Sequence, residues 1–113
     1  ASEAVENQIR QKEGERISKY LREDAYVIAL AIDGEMLSSE KFSEKIGRLG
    51  ISGASHIIFV IGGSIGLDKE LLKRADCRLS FSRMTFPHQL MRVILLEQIY
   101  RGYRILSNEP YHK

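Results

Sequence analysis

Three side chains that could do chemistry close the sequence, since Tyr111, His112 and Lys113 are its last residues. A phenol can stack on a nucleobase, an imidazole can carry a proton near neutral pH, and an ammonium can contact a phosphate. Chain ends are usually disordered, so the plain alternative is a tail without a function. The tail is therefore a candidate for work on a nucleic acid, with that alternative beside it.

A glycine-rich segment, GGSIG at residues 62–66, is the second candidate. It connects an apolar strand to a helix that is predicted to begin near Asp68, where free N–H groups favour anions. The spacing excludes two phosphate motifs, because Ser64 and Leu67 stand where G-x-G-x-x-G requires glycine and no G-K-[ST] follows. Two interpretations stay open: a tight structural turn, or a site for a nucleoside-type ligand without a pyrophosphate.

The third candidate is the loop at residues 82–86, between a short strand and a long apolar helix. Pro87 suits the first helical turn, because its missing N–H would have no partner there. His88 is predicted to fix or pack against the loop, with direct chemistry as the alternative. The apolar residues of the helix cover nearly its whole circumference: Leu90, Met91, Val93, Ile94, Leu95, Leu96, Ile99, Tyr100 and Tyr103. We therefore expect the helix to be buried, or paired with another helix.

Metal and covalent chemistry have little support in the sequence. The three histidines, His56, His88 and His112, show no helical two-histidine spacing with a carboxylate, so no metal site is expected. Cys77 is the only cysteine, with no histidine nearby in sequence, and no G-x-S-x-G motif occurs. We predict a structural thiol in a reducing cytoplasm.

Composition indicates one globular domain, since 113 residues with 43% hydrophobic and 28% charged content can bury a modest core. No apolar run reaches the length of a membrane span and no signal peptide begins the chain, so a soluble protein is expected. The net charge of +2 is unevenly distributed. From residue 73 onward there are eight Lys or Arg against three Asp or Glu, which leaves −3 for the first 72 residues. A basic C-terminal third is compatible with a phosphate-binding surface, although charged segments are usually only solvated.

Strands and helices are predicted to alternate along the chain. We expect helices over residues 3–22, from Ser38 or Ser39 to Gly50, from near Asp68, and from Pro87. Strands are predicted over residues 26–32, where Asp33-Gly34 ends the run, over 56–61, and over 78–81. The first two strands are apolar throughout, which is typical of strands covered on both faces. The predicted fold class is α/β, with a mostly parallel sheet and helices on both faces.

Together, the segments VIALAIDG, FVIGGSIGL, LSFSRMTFPHQLMRVILLEQIYRGYRI and EPYHK resemble the C-terminal part of the RlmH (YbeA) family. The likeness extends from about residue 13 to the end. Members are SPOUT-class methyltransferases that use S-adenosylmethionine to methylate N3 of a pseudouridine in large-subunit ribosomal RNA. The resemblance implies a C-terminal deep trefoil knot and a homodimer with the long C-terminal helix at its interface. Members carry a further N-terminal portion, so residues 1–113 would be a single, N-terminally incomplete SPOUT domain.

The resemblance also implies a set of cofactor-binding residues, which act largely through their backbone: Leu30, Gly62, Phe81, Ser82, Arg83, Met84, Thr85 and Phe86. It places the tail close to the transferred methyl group and the RNA. As hypotheses, His112 handles the proton, Tyr111 stacks on or hydrogen-bonds the base, and Lys113 and Arg92 act electrostatically on the ribosomal RNA. Two alternatives stay open: a non-catalytic dimeric module that binds a nucleoside or RNA, and a SPOUT enzyme that acts on transfer RNA.

Overall fold

The computed structural model of the chain describes residues 2–62 and 66–109. Within these ranges four helices and three strands alternate: α1 Glu3–Ser18, β1 Tyr26–Met36, α2 Ser39–Ile51, β2 Ile57–Ile61, α3 Lys69–Arg74, β3 Cys77–Ser80 and α4 His88–Leu106. The strands form one parallel sheet in the order β2-β1-β3. The predicted parallel α/β arrangement is confirmed.

Helices cover both faces of the sheet. Successive side chains of the central strand β1 point to opposite sides, so each face has its own apolar cluster. On one face, Ile28 and Leu30 pack with residues of α2 and α4, among them Phe42 and Leu95. On the other face, Val27 packs with β2, α3 and the end of α1. Each fully buried aliphatic side chain stabilises the fold by about 1.5–3 kcal/mol. The expectation that β1 is covered on both faces is confirmed.

Two helices begin where the sequence predicts. The Ser38 hydroxyl accepts a hydrogen bond from the Lys41 N–H at 3.1 Å and caps α2. The Asp68 carboxylate accepts one from the Glu70 N–H at 3.2 Å and caps α3. The predicted end of α2 at Gly50 is wrong, because the helix continues to Ile51 and the left-handed backbone comes later, at Gly53 with φ +92°.

The second strand is less buried than predicted. Only Val60 of β2 is buried, and the other four residues are half-buried. The strand lies at one edge of the sheet, and on α1 Val5 and Ile9 are 45% and 49% exposed. Alternate residues of β2 nevertheless pack on both faces, Ile57, Phe59 and Ile61 on one and Ile58 and Val60 on the other. The expectation that β2 is covered on both faces is confirmed, although its burial is incomplete.

Helix α1 approaches the rest of the fold at a glycine. Gly14 of this helix is buried, and a Cβ there would lie 2.8 Å from the Asp68 Cβ. The missing side chain lets α1 pack against the start of α3.

The end of β1 differs most from the prediction. Asp33-Gly34 does not end the strand, which continues to Met36, and Leu79 of β3 is the register partner of both Leu30 and Glu35. The register of β1 against β3 therefore shifts between Leu30 and Glu35, where extra residues are inserted in β1 as in a β-bulge. A Cβ on Gly34 would lie 2.8 Å from backbone atoms of Arg78 and Leu79. This glycine permits the close approach of two backbones and does not make a turn.

Helix α4 is only partly buried within one chain. Leu95 and Gly102 are buried, but six large apolar residues of α4 are at least 45% exposed: Leu106 at its end, and five at helical spacing before it, Leu90, Val93, Leu96, Tyr100 and Tyr103. We call these five residues the α4 stripe. Burial of the whole circumference inside one chain is thus contradicted, and the pairing alternative stays a prediction. Among residues 2–62 and 66–109, neither α4 nor any other helix is long and apolar enough to cross a membrane.

We expect Gly34→Ala to lower the free energy of unfolding by about 1–3 kcal/mol, because the new methyl group would collide with backbone atoms that cannot move aside. Gly50→Ala is the matched control. A Cβ there meets no heavy atom within 4 Å among the described residues, and alanine favours a helix by about 1 kcal/mol over glycine. Urea denaturation measures both, and equal stability of Gly34→Ala and the unaltered chain would contradict the close approach of the two backbones.

Candidate functional site

A cavity of about 380 Å³ opens where the carboxyl ends of the three strands meet. Leu30 of β1, Ile61 of β2 and Ser80 of β3 contribute to its wall. Ligands of α/β proteins commonly bind at this end of a parallel sheet. The lining is mainly apolar with a few polar groups, which is typical of small-molecule sites.

Three segments that are far apart in sequence supply the predicted cofactor residues, and the cavity brings them together. Seven of the eight line it: Leu30, Gly62, Phe81, Ser82, Met84, Thr85 and Phe86. Arg83 belongs to the same loop but is exposed and is not among the described lining residues. Contact of these residues with a cofactor stays a prediction.

Two serines fix the loop that follows β3. The buried Ser80 hydroxyl donates to the Ser82 carbonyl at 3.0 Å, and the Ser82 hydroxyl accepts from the Met84 N–H at 2.9 Å. Such local bonds hold a backbone in a non-helical shape. The loop thus presents a preformed backbone to the cavity.

The glycine segment supplies the opposite wall. A Cβ on Gly62 would lie 2.8 Å from the Leu67 Cδ2 atom and 3.1 Å from the Gly66 carbonyl carbon, and Gly66 has φ +87°. His88 Nδ1 lies 3.0 Å from the Gly62 carbonyl oxygen, so this contact is with the glycine segment, whereas the sequence suggested a role at the loop of residues 82–86. Residues 63–65, the middle of the predicted glycine loop, lie outside the described residues.

Sequence reasoning missed the segment of β1 in which the register against β3 shifts. Ala31, Ile32 and Asp33 line the cavity, and so does Met91 of α4. Asp33 is the only ionisable side chain among the described lining residues; it is 77% exposed and lies 3.8 Å from the Arg78 guanidinium. These residues follow a strand of a parallel sheet, and that position could have identified them as part of a ligand site. Asp33-Gly34 is typical of a turn, however, so the strand was predicted to end there.

The predicted catalytic residues have a different outcome. Tyr111, His112 and Lys113 lie outside the described residues. Arg92 is exposed on α4 and is not among the described lining residues, although its neighbour Met91 is. Arg92 can therefore act toward the cavity only over a distance or through a bound RNA.

Cys77 lies at the opposite end of β3 from the cavity. Burial raises the pKa of its thiol, an effect that the nearby Lys45 ammonium partly reverses. A thiol with a raised pKa is a poor nucleophile, in agreement with the structural role predicted for it. Within the described ranges, no group of three or more His, Cys, Asp and Glu side chains could hold a metal ion.

Comparison with known proteins extends over nearly the whole chain. Residues 1–112 match the family model described as "Predicted SPOUT methyltransferase". The chain is 66% identical over 113 residues to the "Ribosomal RNA large subunit methyltransferase H" of Bifidobacterium adolescentis. Proteins of the same name from Clostridium novyi and Clostridium kluyveri are 62% and 58% identical to it. Each alignment covers 100% of this chain and 71% of the relative. The family match and these identities show that the chain belongs to the SPOUT methyltransferase family.

Proposed function

We propose that this chain is an S-adenosylmethionine-dependent methyltransferase that methylates N3 of a pseudouridine in large-subunit ribosomal RNA. The observation that carries the proposal is the apolar cavity at the strand ends, in a chain 66% identical to a ribosomal RNA large subunit methyltransferase. Residues 1–113 would form a single SPOUT domain, which spans 71% of the length of the relative. It would act in the cytoplasm, where ribosomes are.

The cavity suits S-adenosylmethionine in size and in the character of its lining. Its volume lies within the range of about 300–1,000 Å³ that is usual for small-molecule sites. Leu30 and Phe81 would pack against the adenosine portion, while Gly62 and the loop backbone would supply hydrogen-bonding groups. Arg83 would contribute from the edge of the loop, through its backbone. When bound, the cofactor supplies a methyl group on a sulfonium, which already carries its own leaving group.

The chain's own contribution is then alignment and removal of one proton. A well-oriented nucleophile gains several kcal/mol from alignment alone, and the weakly acidic N3–H must lose its proton to a base. We assign proton transfer to His112 and stacking on the base to Tyr111. Lys113 and Arg92 would neutralise phosphates of the RNA. The charge of +5 from residue 73 onward supports this assignment.

We further propose that the segment of β1 after Leu30 crosses β3, as part of a deep trefoil knot. The double pairing of Leu79 supports a chain path in which β3 lies between two parts of β1. The loop at residues 81–87 and α4 follow immediately, so the knotted segment and the cavity would be one structure.

Dimerisation is proposed through α4. The α4 stripe exposes five large apolar side chains along one side of the helix, and a contiguous exposed apolar surface marks an interface. The same helix of a second copy would cover it. Substitutions in the stripe should therefore change the oligomeric state before they change the fold.

Transfer of a tritiated methyl group from S-adenosylmethionine to purified ribosomes tests the proposed function. We expect label in large-subunit RNA, and a loss of at least about a hundredfold in rate with His112→Ala or with deletion of residues 111–113, because general-base catalysis contributes about 10²–10⁴-fold. Calorimetry should show cofactor affinity unchanged within a few-fold. His56→Ala, an exposed histidine outside the described cavity lining, is the matched control.

Each other result has a definite meaning. Cofactor binding without label would indicate a non-catalytic module, and label in transfer RNA alone would indicate a different substrate. Full activity after the deletion would exclude the tail from catalysis.

Leu96→Glu should convert the dimer to a monomer, because a carboxylate buried in an apolar interface without a partner costs several kcal/mol. Leu96 is 60% exposed in the single chain, so its fold should tolerate the change. Light scattering after size-exclusion chromatography measures the mass. Gln89→Glu, also exposed on α4 but outside the stripe, should remain dimeric, and a monomeric unaltered chain would refute the interface.

A further inference from the structure

We propose that His88 is a positioning residue for the cofactor cavity: its imidazole donates a hydrogen bond to the Gly62 carbonyl and fixes the backbone that forms one wall. This inference rests on the proposed function, since the cavity it concerns is the cofactor site. It assigns no chemical step to His88.

The contact joins two walls of the cavity that are distant in sequence. His88 Nδ1 and the Gly62 oxygen are 3.0 Å apart, a normal hydrogen-bond length. Gly62 ends the β2 side of the cavity, while Phe86 and Met91, on either side of His88 in sequence, line the α4 side. A change in this bond would therefore move both walls relative to each other.

The partner atom decides the state of the imidazole. A carbonyl oxygen only accepts hydrogen bonds, so Nδ1 must carry the hydrogen. In the neutral ring, Nε2 is then without hydrogen; in the protonated ring, both nitrogens carry one. The bond exists in both charge states, and it selects the Nδ1–H tautomer of the neutral form.

The glycine pair explains why this backbone needs an external hydrogen bond. Gly62 precedes Gly63 in the sequence, and the backbone dihedral angles of glycine are less restricted than those of any other residue. A stiffer residue cannot replace Gly62, because a Cβ there would lie 2.8 Å from Leu67 and 3.1 Å from Gly66. The rotation of the Gly62 carbonyl is instead limited by His88, from the first turn of α4.

Titration calorimetry with S-adenosylmethionine tests the inference on three variants. We expect His88→Ala to weaken binding by about three- to tenfold, which corresponds to the loss of one hydrogen bond. His88→Asn should restore affinity to within about twofold, since the asparagine amide nitrogen can take the place of Nδ1. Gln89→Ala, the exposed neighbour in the same helical turn, is the control and should bind like the unaltered chain.

Nitrogen-15 spectroscopy of His88 supplies a readout that stability alone does not change. The Nδ1–H tautomer should dominate at a pH at which the ring is neutral. Thermal unfolding shows whether His88→Ala lowers the stability of the fold. If it does, the affinity of His88→Asn and the tautomer of His88 in the unaltered chain test the inference instead.

The outcomes separate this inference from the proposed function. No binding by the unaltered chain would overturn the proposed function and this inference with it. Normal binding with an unaffected His88→Ala, an Asn variant as weak as the Ala variant, or a dominant Nε2–H tautomer would overturn the role of His88 alone.

Discussion

The close approach of two backbones at Gly34 is the constraint on which the rest of the structure depends. The segment after Leu30 can lie this close to β3 only because no side chain stands between it and the backbone of Arg78 and Leu79. Ala31, Ile32 and Asp33 of this segment lie at the strand ends, where they form one wall of the cavity. A larger residue at this position would separate the wall from the sheet, although it lies outside the cavity itself.

The cavity is built mostly from backbone that is fixed by short-range interactions. Serine hydroxyls hold the loop after β3, the His88 ring holds the end of β2, and Gly62 and Gly66 supply conformations that a side chain would prevent. A site of this kind recognises a ligand by the positions of the N–H and C=O groups of the protein backbone. Charge contributes little within the described lining, where Asp33 is the only ionisable side chain.

The local features of the fold could be predicted from the sequence, because they depend on neighbouring residues. Ser38 and Asp68 cap helices by bonds within three residues, and the apolar run of β1 predicts a strand buried on both faces. The resemblance to a family, carried by particular motifs, selected seven residues that the fold brings into one cavity. The register shift between β1 and β3, the incomplete burial of β2 and the exposure of α1 could not be predicted, because they depend on what lies beside each element in space. Asp33-Gly34 has the local chemistry of a turn, and only the approach of β3 makes it part of a strand.

The double pairing of Leu79 also determines when the sheet can be completed. Chains are synthesised from the N-terminus, so both parts of β1 leave the ribosome well before β3 exists. Because β3 pairs with both Leu30 and Glu35, it must dock on two parts of β1 that are already present. The sheet is therefore completed only after the C-terminal third has been made, by contacts of high sequence separation, which form slowly. The feature that shapes the cavity thus makes its formation a late step in folding.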